Sequence, residues 1–210
     1  MCGIIGVLSR PPTRPVPSRD ELIDGLDRAI AAGGDLAAAV PILMRVDALL
    51  RGVPGVAALA DQHETVAAIV GRLDRLDAVA DGVDADLEGS ALDPDQLERR
   101  SAEAIAFRDV LWSLRHDRLR TAREVAALAG RDAAAGALQG YLAIQQALSA
   151  IDRLEVRGRD SAGLHVFVSA HDLDHSDPSI AAEVRDRGQD PTFQSGSVRR
   201  AAGVLSFVYK

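Results

Sequence analysis

Residues 154–169 read Leu154-Glu155-Val156-Arg157-Gly158-Arg159-Asp160-Ser161-Ala162-Gly163-Leu164-His165-Val166-Phe167-Val168-Ser169. Before this stretch the apolar residues keep a helical rhythm: Tyr141, Ile144, Leu148 and Ile151 recur at three- and four-residue spacing and predict one stripe. After it, Gly163–Ser169 turns to β-branched and aromatic residues and predicts a strand. Between the two lies a charged turn bounded by glycines. The chain therefore passes from helix to strand here, and the order of its segments predicts the α+β class.

Upstream, nearly everything from Ser18 to about Gly158 reads as helix. Ser18 and Glu21 have the spacing of a capping box, in which hydroxyl and carboxylate satisfy free backbone N–H groups. Asp93-Pro94 is a second start, with Asp as cap and Pro at the first helical position. The helix that follows carries Phe107, Leu111 and Leu114 on one stripe, and abundant alanine lowers the cost of every helix. At the beginning, Cys2–Leu8 (CGIIGVL) is a short apolar run that suits a strand buried on both faces. The four prolines of 9–18 (SRPPTRPVPS) forbid continued strand or helix. Downstream, the acidic loop HDLDHSDPS precedes two strand predictions, Ser197–Ala201 and Val204–Tyr209. The sequence then stops at Lys210 against an apolar strand, whereas boundaries normally fall in exposed linkers, so a piece of a longer protein is expected.

Composition narrows the function classes. With 24 basic against 31 acidic residues the net charge is −7, which argues against nucleic-acid binding, since that needs a concentrated basic face. The single cysteine excludes an internal disulfide and fits a reducing cytoplasm. No apolar stretch approaches a membrane span, and no basic region precedes the first apolar run as a signal peptide requires. Glycine-rich phosphate loops are absent, and no cofactor is implied.

Two places carry chemistry. Removal of the initiator Met would make Cys2 the first residue, with thiol and free α-amine together. An α-amine has a pKa of about 7.7–8.0, well below lysine, so it can take the thiol proton directly or through water. Gly3 would let substrate approach closely. Alternatively Cys2 is a small hydrophobe in an edge strand. In the second place, Arg157 and Asp160 form either part of a site or a solvated ion pair, and Gly158 either belongs to that site or simply caps a helix.

Together these motifs resemble the class II glutamine amidotransferases, which begin Cys-Gly-Ile-Val/Ile-Gly and later carry Leu-x-x-Arg-Gly-x-Asp-Ser-Ala-Gly. Here the first is Cys2–Gly6 and the second Leu154–Gly163. The Asp-Ser-Ala-Gly form, and the phrase Ser206–Lys210, look most like the branch that aminates fructose 6-phosphate. The resemblance covers 2–8 and about 140–210. It implies an N-terminal nucleophile (Ntn) hydrolase-type fold of αββα layers, incomplete here. Cys2 would be the nucleophile that attacks the glutamine amide, releasing ammonia through a γ-glutamyl thioester. Arg157, Gly158, Asp160 and Ser161 would support it, with no metal. A C-terminal isomerase module outside this chain would pass the ammonia to the sugar phosphate. Neither nucleic acid nor membrane is an implied partner, and a homodimer is left open.

The sequence departs from that family twice. Residues 1–9 and 139–210 match its domain, but 10–138 form a helical insertion, which either gates the site or passively covers a sheet. The Asn-Gly pair that serves the family as oxyanion hole is missing, since the sequence has no asparagine, and so is the Arg phrase that binds the glutamine carboxylate. These residues alone are thus expected to be inactive, and the competing reading is a non-catalytic regulatory or protein-binding module. Two lesser features have a plain alternative. His171, Asp172, Asp174 and His175 are either metal ligands or a solvated loop, and Trp112 with His116 is either a packing pair or a site.

Overall fold

The computed structural model describes residues 4–89, 91–154, 163–189 and 198–209. Two compact units result: Leu8–Gln145, and Met1–Val7 with Gln146–Lys210. The chain is α+β, with several helices and one three-stranded antiparallel sheet among the described residues.

The first unit is helical. It holds α1 (Arg19–Ala31), α2 (Leu36–Leu49), α3 (Gly52–Leu59), α4 (His63–Glu88) and α5 (Pro94–Trp112). A π-helical segment, Ser113–Leu119, continues α5 into α6 (Arg120–Ala129), and α7 (Ala135–Leu154) begins here. The predicted caps are in place: Ser18 Oγ accepts the Glu21 N–H at 3.1 Å, and Asp93 Oδ1 accepts the Gln96 N–H at 3.0 Å. The proline run forms neither helix nor strand. Arg14, within it, donates to the carbonyls of Leu49 and Arg51 at 2.7 and 2.6 Å, so a cation holds the negative end of α2 and ties the entry segment down.

α1 and α5 each pack on both α2 and α4, which closes a four-helix ring. Leu22, Leu26, Leu43, Ile69, Leu73, Leu76, Phe107 and Leu114 fill its centre. α1 and α2 pack closely, with Gly25 facing Val46 and Glu21 paired with Arg45. A Cβ at Gly25 would lie 2.6 Å from Val46 Cγ2, so glycine sets the close approach. α4 and α5 run antiparallel: Arg115 pairs with Asp74 and Asp77, and Arg108 with Asp81 and Asp84. Each guanidinium thus clips two carboxylates one turn apart. A smaller core joins Val53 and Val56 of α3, Val125 of α6, and Leu138 and Leu142 of α7.

That smaller core corrects one expectation. The buried positions of α7 are Leu138, Leu142 and Gln145, whereas Leu148 is exposed and Tyr141, Ile144 and Ile151 are half-buried. The face is chosen by what α7 meets: Gln145 Nε2 donates to Glu124 Oε2 of α6 at 2.7 Å. A helix with apolar residues on several sides buries the side its neighbours offer to cover.

The second unit contains β1 (Leu164–Ser169), α8 (Pro178–Gln189), β2 (Val198–Ala201) and β3 (Val204–Tyr209), with strand order β1-β3-β2. All three strands fall where alternation predicts them. β1 pairs with β3 from Leu164↔Tyr209 to Ser169↔Val204, and β2 pairs with β3 from Val198↔Phe207 to Ala201↔Val204. The β2–β3 turn uses positive φ at Ala202 (49°) and Gly203 (74°), the geometry of a type I′ hairpin. α8 lies against β2, and the Arg187 guanidinium sits 5.1 Å from the centre of the Tyr209 ring.

α8 is absent from the sequence reading, which runs the acidic loop straight to the strands. Its start nevertheless uses the signal read at Asp93-Pro94: Asp177 Oδ1 accepts the Ser179 N–H at 2.8 Å, with Pro178 at the first helical position. A second correction concerns the opening run. Residues 4–8 form no strand, and Ile4 is 97% exposed. A strand needs a hydrogen-bonding edge and an apolar cover. Among the described residues the sheet consists of β1, β3 and β2 alone, this run pairs with none of them, and its side chains are exposed.

Candidate functional site

The five residues assigned to the site, Cys2, Arg157, Gly158, Asp160 and Ser161, lie outside the described residues. The structure defines the flanks of the second motif. Helix α7 carries the chain to Leu154, and Gly163 delivers it into β1 at the Leu164↔Tyr209 pair. A Cβ on Gly163 would stand 3.4 Å from the Tyr209 carbonyl oxygen, at the close edge of ordinary contact. A side chain would therefore fit at this position, and space alone does not require glycine there.

The acidic loop is organised as turn and cap. Asp174 Oδ1 accepts the Ser176 N–H at 2.8 Å and its hydroxyl at 2.6 Å, and Asp177 Oδ1 does the same for Ser179. These hydrogen bonds hold both carboxyls below their usual range. His171 Nδ1 accepts the Leu173 N–H at 3.1 Å, and the His171 and His175 rings meet edge to face at 5.3 Å. His175 is pushed down from the ordinary histidine value by burial first, then by Arg200 and His171. Among the described residues no group of three or more His, Cys, Asp or Glu is arranged to hold a metal ion.

One polar cluster escaped the sequence reading. Asp47, on the inner side of α2, is 2% exposed. Its Oδ1 accepts from Ser113 Oγ and Arg118 Nε, each at 2.8 Å. Its Oδ2 accepts from Arg51 Nε and Nη2 at 2.9 and 2.6 Å, and from Arg118 Nη2 at 3.1 Å. Burial pushes its pKa up, but the hydrogen bonds from Arg118, Ser113 and Arg51 outweigh it and leave the carboxyl below its usual value. The π-helical segment makes this possible. Its i→i+5 pattern sets Ser113 and Arg118, five residues apart, on the same side of the helix. With every oxygen engaged, Asp47 has no lone pair free to act as a base, so the cluster pins α2 to the π segment. The available signal was a lone Asp in the apolar run 36–50 with Arg51 four residues on.

Trp112 and His116 do meet, with ring centres 5.0 Å apart. Both are exposed, so the pair packs on itself rather than into the core. No helix of the described residues is long and apolar enough to cross a membrane. Comparison of the chain with protein-family models, curated proteins and solved structures finds no match.

Proposed function

We propose that the chain carries the opening part of a class II glutamine amidotransferase domain, built on an Ntn-type layered fold, with the helical unit as an insertion. The observation that carries the reading is the ordered pair of motifs, Cys2–Gly6 and Arg157–Gly163. The helix-to-strand passage at the second motif and the antiparallel sheet beyond it are compatible with such a fold.

In this reading the α-amine of Cys2 takes the thiol proton, and the thiolate adds to the glutamine side-chain carbonyl. Collapse of the adduct expels ammonia and leaves a γ-glutamyl thioester. Water then cleaves the thioester, so the balance is glutamine plus water to glutamate plus ammonia. Arg157, with Gly158, Asp160 and Ser161, would fix the turn beside the N-terminus. Fructose 6-phosphate is the proposed acceptor, reached through an isomerase module outside this chain. Exposure of the full-length protein to a glutamine-analogue electrophile tests the reading by mass spectrometry. We expect loss of Met1, one adduct on Cys2, protection by glutamine, and no adduct after Cys2→Ala.

A second reading is favoured by one observation: the sequence contains no asparagine to form the family's oxyanion hole. Losing such a donor typically costs about 10²–10³ in rate. A regulatory or protein-binding module would take no adduct on Cys2 and leave glutamine intact.

A further inference from the structure

We draw no further inference here: the strongest candidate, the sheet face on which the His165 and Phe167 rings of β1 meet at 3.9 Å with Phe167 65% exposed, is an unpartnered face among the described residues, and nothing in the structure shows what covers it.

Discussion

Asp47 shows how one side chain decides the geometry around it. A carboxylate in an apolar helix face costs several kcal/mol unless it is paired and hydrogen-bonded, and here Arg118, Arg51 and Ser113 supply the partners from as far as 71 residues away. Removing it leaves Arg118 without its counter-charge. Asp47→Ala should therefore destabilise the helical unit by about 3–5 kcal/mol, read as a lower midpoint in urea. A loss below about 1 kcal/mol would show that the cluster holds nothing. Its pH dependence follows from the lowered pKa. The stabilisation is present above the unfolded carboxyl value of about 3.9 and is lost as pH falls through the lower folded value. His175 acts in a different window. Its folded pKa is lowered, by burial and by Arg200 and His171, so the folded state prefers the neutral ring. Its contribution is full above about pH 6.5 and fades as pH falls below that. Amide exchange in 170–177 should quicken between about pH 7.5 and about pH 5.5 relative to 19–31, and His175→Phe should remove that dependence.

At the scale of elements, boundaries follow local chemistry where a cap or turn residue is present. Ser18, Asp35, Asp93 and Asp177 all accept a backbone N–H near a helix start. The β2–β3 hairpin is the weak point, because Ala202 occupies a position with φ of 49° that favours Asn or Gly. Ala202→Asn should stabilise the sheet by about 0.4–1 kcal/mol, seen as greater exchange protection of the β3 amides, and unchanged protection would argue against the strained turn. Tight joints have the opposite character. A Cβ at Gly55 would fall 2.0 Å from the Leu50 carbonyl oxygen, so α3 can follow α2 that closely only with glycine there.

For the whole molecule, the two apolar clusters of the helical unit draw only on residues between Leu22 and Leu142. Nothing in them is borrowed from the sheet. Residues 8–145 alone should therefore fold with native helical content and a single cooperative melt, and Asp47→Ala should lower that melt. A segment that stays unfolded on circular dichroism would show that the helices depend on the rest of the chain. Much of this organisation was legible in the sequence. The caps at Ser18 and Asp93, the proline break, the Phe107–Leu111–Leu114 stripe and the three strands depend on residues within a few positions of each other, so the sequence by itself determined them. The motifs at Cys2 and Arg157–Gly163, on which the proposed function rests, are likewise sequence features. Only tertiary structure decided which side of α7 is buried, that Asp47 meets the π segment, and that Ile4–Leu8 remains an exposed run. Each depends on partners distant in the chain: burial is settled by which surfaces are available to cover a residue, and no local pattern specifies those.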